Sequence, residues 1–424
     1  MKNSYLIIAF LIIASSFSAC KKDEVVIPPE PIKDVYTNAS FNYNFSDVDP
    51  KINPIFNGYI KTYESAVNQA KWQYNNYYSL KNLNTIIFAY DRDANNFDAV
   101  YMIVPPNGKY TGDLSDEYQT SNTASDGTKI IRVNDKAFLK DLINARLSGS
   151  SFGKAKVKDV DYLYFFFDKK RYDKTLKPLD IMREVGFFTH EGFHLTTQLG
   201  FKRPSNSLES IRFNLPSDYP ADSVSFSLIA SGIKMYESIL FDNIQNTEDY
   251  VKMYYVLFKK LKAQDNSGKN YIDNYYLYEC WLEGSAEFTE YSMNIGSGVM
   301  DGSIPEIRYD NSYQEFVDLT KKEIAAGVPP TVIYNGKERV VYYAQLVEIT
   351  YYKLGSAPLF LLDKLGVDVY AKLKAGKNPY QMLEEYITAN NISVDEEATY
   401  EELKSQINWE DTKDMMQDYI ELFN

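Results

Sequence analysis

The stretch from Leu179 to Leu199 constrains this chain more than any other. Ile181, Val185, Phe188, Gly192, Leu195 and Leu199 recur at alternating spacings of four and three, which at about 100° per residue is one stripe of a helix. That period predicts a helix over 179–199, stopped by Gly200 and by Pro204. His190 and His194 are the only 2 histidines among 424 residues, and they fall one turn apart on the side nearly opposite the stripe. Glu191 stands roughly a quarter-turn aside, at the edge of the same opening. Gly192 lies on the packed face; a mid-helix glycine costs about 1 kcal/mol against alanine, so it points to close approach of a neighbouring element. The helix is expected to bury one face and to offer both imidazoles on the other.

Two histidines at i and i+4 can hold one zinc ion at about 2 Å each, and the intervening glutamate can accept a proton from water at the metal. A catalytic zinc needs a third protein ligand and an open position. No histidine is left, so a carboxylate or thiolate must close the site. The longer metzincin pattern is excluded, because Thr197 and Gly200 stand where its glycine and third histidine belong. The best acidic stretch is "YLYECWLEGSAEFTEYS", Tyr276 to Ser292. As a helix it puts Glu279, Glu283, Glu287 and Glu290 on one face and Tyr278, Trp281, Ser285 and Phe288 on the other. Such an acidic face is ordinarily solvated; as a ligand source it offers Glu283, Glu279 or Cys280.

The His190–His194 motif followed by Glu283-Gly284-Ser285-Ala286-Glu287 resembles the gluzincins, zinc peptidases that include thermolysin, the aminopeptidase N family and the clostridial collagenases. The resemblance implies a zincin-like α+β fold, with a mixed α/β N-terminal subdomain carrying a β-sheet, a mainly helical C-terminal subdomain, and an active-site cleft between them. It implies one Zn2+ per chain held by His190, His194 and Glu283, with Glu191 as general base. It makes Glu287 the carboxylate that supports a ligand histidine, and lets Gly284 and Ala286 bring the two helices together. The stretch "ITYYKLGSAPLFLLDKLG" resembles the aminopeptidase segment in which a catalytic tyrosine stands three residues before a glycine, which implies Tyr352, or Tyr351 as alternate. The interval from His194 to Glu283 exceeds the few dozen residues usual in those families, so the resemblance requires an insertion through 201–232 and 247–264. Gluzincins also pair peptides with a sheet edge, and the strands expected over Thr85–Tyr90 and Phe97–Val104 could present one. The implied activity is that of a hydrolase, a metallopeptidase acting on extracellular proteins or peptides.

The N-terminus carries an address. "MKNSYLIIAFLIIASSFSAC" has one lysine, an apolar run too short to span a bilayer, and small residues before Cys20. That layout predicts a signal peptide over 1–19 and resembles a bacterial lipobox, with Cys20 as the lipidated residue. Lys21-Lys22-Asp23-Glu24 resembles the signal that sends Bacteroidetes lipoproteins to the cell surface. The expectation is an outer-membrane lipoprotein, held to the membrane by its lipid and exposed at the surface. A charged, Pro-rich tether follows over 20–36, then an α/β subdomain over 37–178 and a helical catalytic subdomain over 179–424. Further strands are expected over Lys129–Val133 and Asp161–Phe167, and a helix through 56–80. With Cys20 acylated, Cys280 is the one remaining thiol, so no intrachain disulfide is expected.

The net charge of −13 denies the chain the basic footprint that a nucleic-acid partner needs. Thirty-seven tyrosines and 24 phenylalanines read first as half-buried residues of a large fold, and second as a glycan- or peptide-holding surface. Two rivals to the peptidase therefore stand: a zinc hydrolase associated with nutrient import, and a non-catalytic surface protein that binds peptide or glycan on a zincin scaffold.

Overall fold

The computed structural model describes residues 53–68, 84–91, 96–105, 119–123, 129–133, 152–157, 160–168, 176–204, 222–327, 331–334, 337–340 and 342–422. The expected leader, Cys20 and the tether lie outside the described residues. The molecule is α+β and divides into two units: residues up to Gly200 together with Thr289–Met300, and Phe201–Phe288 together with Asp301 onward. The boundary at 200, rather than at 178, means that the histidine helix belongs with the sheet.

In the first unit six strands form one mixed sheet, β1 (Asn84–Asp91), β2 (Asn96–Val104), β3 (Gln119–Thr123), β4 (Lys129–Arg132), β5 (Phe152–Val157) and β6 (Val160–Asp168), in the order β3-β4-β2-β1-β6-β5. The β1–β6 pair is parallel and the others are antiparallel. β1 and β2 pair antiparallel up to Asp91 and Asn96, as the hairpin expected around 91–96 requires, with a bulge between Ala89 and Tyr90. Both strands are interior, however, so the edge expected over Thr85–Val104 does not exist; among the described residues the edges are β3 and β5. The reason is apolarity on both faces. Ile86, Phe88, Val100 and Met102 bury one side while Ile87, Tyr101 and Ile103 bury the other, a pattern that suits central strands.

Two helices cover the second of those faces. Phe56 of α1 (Asn53–Asn68) meets Tyr101 with ring centroids 5.3 Å apart, and Phe188 of α2 (Pro178–Thr196) meets Phe165 at 4.4 Å. α1 and α2 touch at Gly58, where a Cβ would fall 2.6 Å from Val185 Cγ2. Local chemistry sets the ends of α2. Pro178 occupies the first turn, Asp180 Oδ2 accepts the Lys177 N–H at 2.9 Å, and the acid suits the helix N-terminus. The helix stops at Thr196, followed by a single 3-10 turn over Gln198–Gly200. Leu199, expected in the apolar stripe, is therefore 64% exposed.

The second unit is built on α3 (Ser223–Phe241) and α4 (Thr247–Ala263). α3 is buried nearly all round, and its buried Ser227 and Ser231 hydroxyls are satisfied by the carbonyls one turn back, at 2.8 and 3.1 Å. By length and composition it could cross a membrane, but it forms the core of this unit instead. The expected insertion is thus no appendage: its two helices are the centre of the helical unit. A π-turn over Ile272–Tyr276 leads into α5 (Leu277–Gly296). Short α6 (Pro305–Tyr309) and α7 (Tyr313–Ala326), the hairpin β7 (Thr331–Tyr334) and β8 (Lys337–Val340), and α8 (Tyr342–Lys364) follow. The unit ends with α9 (Val369–Lys374), α10 (Pro379–Ala389), α11 (Glu396–Lys404) and α12 (Trp409–Glu421).

α5 and α8 run side by side in the same direction. Tyr276 Oη donates to Thr350 Oγ1 at 2.9 Å at one end, and Phe288 meets Phe360 at 4.9 Å at the other. At the crossing the backbones nearly touch: a Cβ on Gly284 would lie 2.5 Å from Gly355 Cα, and one on Gly355 would lie 2.3 Å from the Cys280 carbonyl. Gly284 therefore serves α8, not the histidine helix as expected. Gly284→Ala must push two backbones apart, and an overpacked core of this kind is expected to lose about 1–3 kcal/mol in denaturant unfolding.

Candidate metal centre

α2 supplies the imidazoles. His190 is buried and His194 half-buried, so the face opposite the stripe is covered rather than open. His190 Nδ1 lies 3.2 Å from Glu290 Oε2. A carboxylate only accepts, so this nitrogen carries the proton and Nε2 keeps its lone pair. His194 Nδ1 faces Gln198 Oε1 at 2.5 Å, which sets the same tautomer on the second ring. The two Nε2 atoms then point at each other across 3.1 Å. Two lone pairs so close repel unless an electrophile lies among them. Tetrahedral zinc at about 2.0–2.1 Å from each nitrogen would space them about 3.3 Å apart, close to what is found.

α5 supplies the carboxylates. It is one unbroken helix: its last turns, with Glu290, cluster with the first unit, and Glu283 lies nearly two turns earlier on the same side. One ligand atom from each of His190, His194 and Glu283 falls within 4.8 Å of the others. Two neutral imidazole nitrogens and one carboxylate oxygen are the donor set of a His2Glu zinc site, so the residues present fit the ion. Glu283 is buried, at 8% exposed. Glu279 and Glu287, both 4% exposed, show that this acidic face is packed and not solvated.

Glu287 has a different partner from the one expected. Glu287 Oε1 accepts from Tyr236 Oη at 2.6 Å inside the helical unit, and the carboxylate behind His190 is Glu290. Helix geometry gives the reason: seven residues past Glu283 returns to within about 20° of it, whereas four residues overshoots by about 40°. Glu290 was visible on the acidic face in the sequence, but its pairing was not. Cys280 is fully buried against α8, and burial, with Glu279 beside it, pushes its thiol well above the ordinary value. Neither Cys280 nor Glu279 joins the group with the two imidazoles among the described residues. Glu191 is half-buried beside His190. Tyr352 is half-buried on α8, stacked on Tyr351 at 5.3 Å. Gly355, three residues on, is explained by its contact with Cys280.

Gly186 is a residue that sequence reasoning missed. It sits one turn before His190, and a Cβ there would fall 2.2 Å from Glu290 Oε1. Only glycine lets Glu290 lie against α2 beneath the imidazole. Gly186→Ala is expected to displace Glu290 and to weaken zinc affinity about 10–100-fold, the range for losing a carboxylate behind a ligand histidine. Competition with a chromogenic chelator reads the change, and unaltered affinity would deny Glu290 this role. Comparison with protein-family models, with curated proteins and with solved structures finds no match for this chain.

Proposed function

We propose that the chain is a zinc-dependent metallopeptidase of gluzincin type, on a zincin-like fold. The observation that carries the reading is the convergence of His190, His194 and Glu283, with both imidazole tautomers set so that Nε2 faces inward. Zinc in this donor set supplies Lewis acidity to a carbonyl and lowers the pKa of water. Glu191, one residue from a ligand, takes the proton of the attacking water and passes it to the leaving amine. Tyr352 donates its phenolic hydrogen bond to the oxyanion that forms on the substrate carbonyl. Glu290 and Gln198 hold the two ligand rings in the required tautomer. The edge strand β5, which packs beside α2, is the sheet margin to which an extended peptide would add. Secretion as a lipoprotein through Cys20 accords with this reading and brings the site to extracellular protein or peptide.

The test is cleavage of an unbiased peptide mixture by the zinc-loaded chain, read by mass spectrometry. Cleavage is expected to stop with a chelator and to return with zinc. A fully zinc-loaded chain that cuts no peptide would leave the surface binding protein, or a hydrolase of another bond, in its place.

A further inference from the structure

The edge strand β5 is basic in an acidic chain. Phe152 of β5 packs on Phe187 of α2, ring centroids 5.0 Å apart, so it lies on the α2 face of the sheet. Strand alternation puts Lys154 and Lys156 on that same face. Their cross-strand partners are Leu163 and Asp161, and both lysines are exposed. In a chain of net charge −13, the described residues of this margin set Lys154 and Lys156 against the carboxylate of Asp161. Partial burial holds the Lys154 ammonium below the ordinary lysine value, and Asp161 pulls it back up.

The two lysines also lie at the right level. β6 ends at Asp168 and α2 begins at Pro178, and a helix that follows a strand this closely and packs on the same sheet ordinarily runs back along it, which sets α2 against β6 and along β5. From the Phe152–Phe187 contact, a strand rise of about 3.3 Å carries Lys154 about 7 Å and Lys156 about 13 Å onward. A helix rise of about 1.5 Å carries His190 about 4.5 Å and His194 about 10.5 Å in the same sense. The lysines thus lie alongside the metal-binding turn. Among the described residues β5 ends the sheet order, and an edge strand offers backbone donors and acceptors to an added strand.

We propose that β5 selects extended peptides carrying acidic side chains, with Lys154 and Lys156 as the residues that set this preference. The inference rests on the peptidase reading for what happens to the peptide, but its binding step stands apart from turnover. A peptide added to β5 exposes alternate side chains to the α2 face, where Glu or Asp meets the two ammonium groups. Lys and Arg at the same positions meet like charge.

The experiment measures binding by fluorescence anisotropy on the zinc-loaded full-length chain carrying Glu191→Gln, so that no peptide is consumed. The probes are fluorescein-labelled ten-residue peptides of alternating Glu-Ala and of alternating Lys-Ala. The Glu-Ala peptide is expected to bind about fivefold tighter, near the upper range for exposed ion pairs, with the difference shrinking as salt rises. Lys154→Glu/Lys156→Glu should reverse the order, and Lys154→Ala/Lys156→Ala should erase it. The alanine pair keeps the test open where the charge reversal does not fold. An unchanged preference in the alanine pair, or none in the parent, overturns the proposal. Both peptides are then offered to the chain with Glu191 intact. Charge-selective binding without cleavage would refute the peptidase reading alone; cleavage indifferent to charge would refute this inference alone.

Discussion

Glu283→Ala is expected to release the metal and with it all peptide hydrolysis. Removing a carboxylate behind a ligand histidine costs about 10–100-fold in affinity, and removing a ligand itself should cost more, so about a hundredfold is the least expected. His190 and His194 would remain, with their Nε2 atoms 3.1 Å apart, as a two-point site open to water. Zinc per mole after dialysis, measured beside Glu279→Ala and Cys280→Ser, reads the effect directly. Those two should each retain one zinc per chain, since neither joins the imidazoles among the described residues. Melting temperature adds a second readout, because a metal that binds only the folded chain raises it. That increment should vanish in Glu283→Ala and persist in the other two. A full equivalent of zinc in Glu283→Ala would move the third ligand elsewhere on α5.

Glu191→Gln is expected to retain zinc and fold while losing about 10²–10⁴ in kcat, the usual contribution of a positioned general base. The amide keeps the shape of the carboxylate but cannot take the proton of water. KM should change little, because the proton transfer belongs to the transition state. Rates within tenfold of the parent would remove Glu191 from the chemistry. Retention of peptide binding with no turnover in either protein would favour the non-catalytic surface protein.

Particular residues show how far local pattern reaches. The spacing of Ile181, Val185 and Phe188 predicted α2, and its burial of Val185 and Phe188 follows that stripe. The alternation and apolar runs at 85–104, 129–133 and 161–167 predicted β1, β2, β4 and β6 within a residue or two at each end. β3 and β5 escaped, because "QTSNT" and "FGKAKV" carry too little apolar surface to signal a strand; ladder partners hold them, not propensity. The two helices read as an insertion are the core of the second unit, because separation along the chain says nothing about which faces find each other.

The site divides the same way. A pair of histidines one turn apart with an adjacent glutamate is a local fact, legible wherever the residues form a helix, since 3.6 residues per turn sets both imidazoles on one side. The set of carboxylates available to join them was legible too, as one face of α5. The resemblance chose Glu283 among them, the residue that groups with the two imidazoles, but the partners of the other carboxylates were not legible. Glu290 lies behind His190 because Gly186 leaves room for it, Glu287 turns to Tyr236, and Gly284 is spent on the crossing with α8. Each assignment depends on a contact between residues distant in sequence. Helix periodicity decides which residues share a face, and only packing decides what each face meets.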